Sequence, residues 1–122
     1  MVKDYGQAVS KTLKELGFSA GSKGYNYTCE ALLHVIENPR STHRLSHEIY
    51  PVVAKTNDTT PTRTERAIRH AIKTAFERMA YVLKDDTMYQ AVFGCALMSK
   101  PTPRRFLATV AEYIKEGDYD AR

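Results

Sequence analysis

Residues 59 to 73 read Thr-Thr-Pro-Thr-Arg-Thr-Glu-Arg-Ala-Ile-Arg-His-Ala-Ile-Lys, and this run specifies an α-helix with a marked start and two opposite faces. Thr60 is a good N-cap, its hydroxyl able to accept from an otherwise unpaired N–H, and Pro61 falls at the first helical position, where its missing donor costs nothing. At about 100° per residue, Thr64, Ile68, Ala71, Ile72, Ala75 and Met79 gather on one side and Thr62, Arg63, Arg66, Arg69, His70 and Lys73 on the other. Such a helix must bury its first face, so the rest of the chain has to supply a partner layer.

That layer is helical too. Every strong periodic signal has the helical period and no convincing alternation of period two occurs, which predicts an all-α fold of about six helices. The first spans roughly residues 4 to 16, with Ala8, Val9, Thr12, Leu13 and Leu16 inward, Gly17 as its stop and Phe18 anchoring the connection. A second, about residues 25 to 37, turns Thr28, Ala31, Leu32, Val35 and Ile36 inward and ends at Asn38-Pro39. Leu45, Ile49, Tyr50, Val53 and Ala54 have helical spacing but include Pro51, so a short turn is expected before a helix restarts near that proline. The tight connection 56 to 59 then leads into the cationic helix, and the pair matches a helix-turn-helix. A fifth helix is expected over about 87 to 93, capped from Lys84-Asp85-Asp86 and stopped by Gly94. Thr102-Pro103 repeats the cap-plus-proline start for a sixth, about 103 to 116, with Phe106, Leu107, Val110, Tyr113 and Ile114 inward and Gly117 after it.

With 122 residues, 43% hydrophobic and 26% charged, the chain suits one compact domain, 1–122. No apolar run approaches the roughly 20 residues of a membrane span, and the N-terminus lacks the apolar stretch of a signal peptide, so a cytoplasmic location without membrane contact is expected. Cys29 and Cys95 each sit in an apolar helical pattern, which predicts buried, reduced thiols without chemistry.

Charge is uneven. Residues 40 to 84 hold nine Lys or Arg against Glu48, Asp58, Glu65 and Glu77, a balance of +5 within a net charge of +4, the electrostatic footprint of a nucleic-acid binder or of a partner for an acidic protein. Arg63 and Arg66 occupy the first turns of their helix, where the dipole is already positive and each like charge costs about 0.3–1 kcal/mol. Docked phosphates reverse the sign of that cost. Glu65 among these arginines weakens simple phosphate binding, yet it fits base reading, with the carboxylate accepting from a cytosine amino group while Arg63 or Arg66 forks onto guanine. An ordinary solvated helix face remains the competing reading of this segment.

Other constellations carry less. His43 and His47 are four apart, but no third donor stands at a metal-ligand spacing, so no metal or other cofactor is expected. His34, among Leu32, Leu33, Val35 and Ile36, is expected to be partly buried and hydrogen-bonded, while His70 either donates to a phosphate or ties its helix to the scaffold. Tyr25, Tyr27, Tyr50, Tyr81, Tyr89 and Tyr113 are read as core anchors with wet hydroxyls rather than stacking platforms. No nucleophile stands beside a base, no carboxylates pair in apolar surroundings, and Gly21-Ser22-Lys23-Gly24 lacks the preceding strand of a phosphate loop; an enzyme is not expected.

Gly24-Tyr25-Asn26-Tyr27, then Ile49-Tyr50-Pro51-Val52-Val53-Ala54-Lys55, then the run from Thr59 to Ile72 with its Glu-Arg-Ala-Ile-Arg-His-Ala-Ile core resemble, in order and spacing, the C-terminal DNA-binding effector domain of the stage-zero sporulation response regulator. The likeness runs from about Val9 to Ile114. It implies a six-helix domain whose helix-turn-helix reads a short promoter element in double-stranded DNA, usually as a head-to-tail pair of protomers on tandem sites. It also implies contact with RNA polymerase sigma factor through a surface after the recognition helix, corresponding loosely to residues 84 to 90. Carried over by residue, Arg63, Glu65 and Arg66 fall where the family reads base edges, and Thr60, Thr62, Arg69, His70 and Lys73 fall on or beside the phosphate-contacting face.

The chain departs from the family pattern in three ways. Thr64 replaces a usually apolar residue, the stretch Phe76-Glu77-Arg78-Met79-Ala80-Tyr81 lacks the expected tryptophan and small-residue stop, and the usual N-terminal receiver with its phosphorylated aspartate has no counterpart in these residues. An excised domain and a stand-alone relative both fit the last point. A rival reading follows, in which a protein-interaction module keeps the fold and binds sigma factor or a full-length regulator without specific DNA binding.

Overall fold

The computed structural model describes residues 4–120, with side chains through Gly117, and among these residues every regular element is helical. Six α-helices follow in order: α1 Gly6–Glu15, α2 Lys23–Glu37, α3 Tyr50–Thr56, α4 Pro61–Glu77, α5 Thr87–Phe93 and α6 Pro103–Asp120. A 3-10 turn, Pro39–Arg44, and a π turn, Leu45–Ile49, join α2 to α3, and a second π turn, Arg78–Val82, extends α4. No helix among the described residues is long and apolar enough to cross a membrane.

α2 is the central beam, packed against α1, α4 and α6. Its inward residues Thr28, Ala31, Leu32, Val35 and Ile36 are all buried, and Ser22 caps it by accepting from the Tyr25 N–H at 3.1 Å. Gly24 lets α4 come close: a Cβ at this position would stand 2.7 Å from both the Ala67 carbonyl oxygen and the Ala71 Cβ. The periodic residues of α1 and α6 close the same core, Val9, Leu13, Leu16, Phe106, Leu107, Val110 and Ile114 being buried together. Tyr89 of α5 joins them.

Several expectations need correction. Ala8 is exposed, because the buried stripe of α1 runs through Val9, Thr12, Leu13 and Leu16 and leaves Ala8 at its flank. The short turn expected before Pro51 is a 3-10 turn followed by a π turn, and the helix restarts at Tyr50, beside Pro51, as expected. The Tyr50 N–H donates to the Leu45 carbonyl, an i to i−5 bond, so the chain passes through the π turn into α3, whose first turn holds Pro51 without needing its donor. Gly117 does not stop α6; its φ is not positive, and the helix continues to Asp120. Gly94 does stop α5, with a left-handed φ of 77°.

Both cysteines are free, as expected, but only Cys29 is partly buried, and burial pushes its thiol up. Cys95 is exposed in the connection that follows the stop at Gly94. Tyr81 is exposed rather than core, because at about 100° per residue it lies on the side of the helix opposite the buried Ile72. The Tyr89 hydroxyl is not wet: it is buried and donates to the Leu16 carbonyl.

Candidate nucleic-acid interface

α3 and α4 are joined by Asn57 to Thr60, and the geometry of this turn is over-determined. Asp58 takes a left-handed φ of 52°, and the Thr59 N–H donates to the Ala54 carbonyl at 3.0 Å. The Asn57 amide donates to the Glu30 carboxylate at 2.7 Å and to the Val53 carbonyl at 2.8 Å, tying the turn to α2. The Thr60 side chain accepts from the Arg63 N–H at 3.1 Å, so the start of α4 lies where the sequence places it.

From there the two faces separate. Thr64, Ile68, Ile72 and Ala75 are buried, with Ala71 and Met79 partly so. Thr64 is buried on this face without leaving a polar group unpaired, since its hydroxyl donates to the Thr60 carbonyl at 3.0 Å. Thr60, Thr62, Arg63, Arg66, Arg69, His70 and Lys73 are all exposed. Among the described residues, Arg63, Arg66 and Lys73 have no carboxylate partner, so the positive field at the N-terminal half of α4 is uncompensated. Among the described residues His70 meets Thr74 of its own helix, Nε2 to Oγ1 at 3.4 Å.

Glu65 stands apart from its neighbours. Its side chain is 30% exposed and Oε1 lies 3.4 Å from the Arg69 Nη1, while Oε2 is buried with no hydrogen-bond partner. Beside it, burial and then the Glu65 charge push the Tyr50 hydroxyl up to about 12, against the smaller opposing effects of Arg69 and Arg104. These groups share a cleft with His43, Arg44 and His47. Among the described residues no three His, Cys, Asp or Glu side chains stand close enough to hold a metal ion. His34 is partly buried as expected, its Nε2 2.7 Å from the Glu48 carboxylate.

A family model described as the sporulation initiation factor Spo0A C terminal matches residues 9–114. The chain belongs to this family. The Spo0A C-terminal domain is the DNA-binding effector domain of a sporulation transcription factor, which supports DNA as a partner and transcription regulation as the context. Within this Spo0A-type domain, two features escape sequence reading. One is the cluster of Arg44 and Arg104 beside Glu65, which α6 completes from 60 residues downstream of Arg44 in the chain. The other is the exposed run Tyr81, Val82 and Leu83, at 57%, 73% and 55%, whose apolar composition alone does not tell that it faces outward.

Proposed function

We propose that this domain reads a specific double-stranded promoter element by inserting α4 into the major groove. Arg63 and Arg66 fork onto guanines, and Thr60, Thr62, Arg69, His70 and Lys73 hold the backbone. The observation that carries the reading is the pair Arg63 and Arg66, exposed and, among the described residues, without acid partners, on a helix whose opposite face is buried.

Glu65 accepts from a cytosine amino group once its carboxylate leaves Arg69. An i,i+4 surface pair is worth only about 0.3–0.5 kcal/mol, so a phosphate that takes the Arg69 guanidinium releases Glu65 cheaply. The buried, unpartnered Oε2 supports this exchange, because the carboxylate is incompletely satisfied without DNA.

Protomers bind head to tail on tandem sites, and the surface after α4 contacts RNA polymerase sigma factor. The apolar patch of Tyr81, Val82 and Leu83 supports a protein contact there. The same patch favours the rival in which the domain binds only protein. Gel-shift titration of a tandem-site promoter duplex and its scrambled version at two salt concentrations separates the two. The DNA-reading domain gives a specific complex that survives the higher salt; the rival gives none.

A further inference from the structure

On the Glu65 and Arg69 flank of α4 lies an open cleft of about 650 Å³, walled by the 3-10 turn, the π turn and the first residues of α6. Arg44, Arg69 and Arg104 line it with His43 and His47, and all five are exposed. Of the acids in the neighbourhood, Glu65 faces Arg69 at 3.4 Å through one oxygen, and Glu48 is turned to His34 at 2.7 Å. Arg44 has no acid partner among the described residues. Arg104 is held in position, its Nε donating to the Thr42 carbonyl at 3.1 Å, which leaves the two terminal nitrogens for another acceptor.

A helix with its side chains is about 10–12 Å across, and the major groove is about 12 Å wide. A helix in the groove therefore fills it, and the two phosphate strands run along its flanks, over whatever the domain presents there. On the Arg69 flank that surface is this cleft. We propose that Arg44, with His47 and Arg104, forms a phosphate-strand contact outside the helix-turn-helix, gripping one DNA backbone from the side while α4 meets the bases. The inference rests on α4 being the recognition helix. Its contribution is register and orientation without sequence information.

The test uses the best duplex recovered by in vitro selection with this domain, a scrambled duplex, and Arg44→Gln. Affinity for both duplexes should fall by the same factor, leaving their ratio unchanged, and the slope of log affinity against log salt should fall by about 0.9. The deficit should accordingly shrink about threefold between about 50 and about 200 mM salt. Arg44→Lys should restore most of the slope. Replacing the flanking phosphate by a neutral methylphosphonate should weaken the unaltered domain but not Arg44→Gln. If Arg44→Gln and the Arg44→Gln/His47→Gln double variant keep full affinity and slope while Arg66→Ala loses site preference, the flank contact is wrong and the reading of α4 stands. If Arg66→Ala also changes nothing, both fall together.

Discussion

The Tyr89 hydroxyl donates a 2.7 Å hydrogen bond to the Leu16 carbonyl across a separation of 73 residues, inside the core. It satisfies the last turn of α1 from α5, while the ring stands edge-on to Phe76 of α4 at 5.3 Å. Tyr89→Phe keeps the ring and strands the carbonyl, so unfolding free energy should fall by about 1–3 kcal/mol. Urea titration followed by circular dichroism measures it; an unchanged midpoint would mean that the carbonyl finds another donor.

Gly24→Ala should be destabilising, against the usual helix preference for alanine of about 0.5–1 kcal/mol. The added methyl would meet the Ala67 carbonyl and the Ala71 Cβ at 2.7 Å, and overpacking of this kind costs about 1–3 kcal/mol. Because the displaced element is α4, DNA affinity should drop as well. Thermal melts and gel shifts on the same sample check both, and a stabilised variant would show that α2 and α4 can separate without penalty.

Arg66→Ala should lower affinity for the preferred duplex by about 1–3 kcal/mol and relax choice at one base pair. Equal losses on preferred and scrambled duplex would reassign Arg66 to the backbone.

Lys73→Ala should weaken all sequences alike and reduce the salt slope by about one. Binding isotherms at several salt concentrations decide it, and an unchanged slope removes Lys73 from the phosphate set.

Alkaline pH should destabilise the domain partly through Tyr50. Its folded-state ionisation is raised from 10 to about 12, chiefly by burial. The neutral phenol therefore contributes stability that is complete below pH 10 and is lost as pH rises toward 12, where the folded form ionises too. Tyr50→Phe should flatten the fall in denaturation midpoint over that window. An equally steep fall in the variant would place the alkaline sensitivity elsewhere.

Much of the candidate site was legible before any coordinates because it is written locally. The Thr60 cap, the Pro61 start and the split of α4 into a buried and a cationic face involve residues within a few turns of one another. The caps at Thr102 and the stop at Gly94 are equally local. Glu65 was legible as an acid among arginines but not as a half-buried group paired with Arg69, since its surroundings come from Tyr50 and from the segment after α2.

Helix positions and the sign of the charge on α4 thus follow from short-range periodicity and capping, which neighbouring residues decide among themselves. The π turns could not be read that way. They insert one residue into a helical period at Leu45–Ile49 and Arg78–Val82, which the 3.6-residue pattern of the sequence does not mark. The same holds for the cleft that brings Arg104 beside Arg44: its charge is stored in the sequence, but its location depends on how α6 closes over the 3-10 turn, a long-range contact that no local pattern encodes.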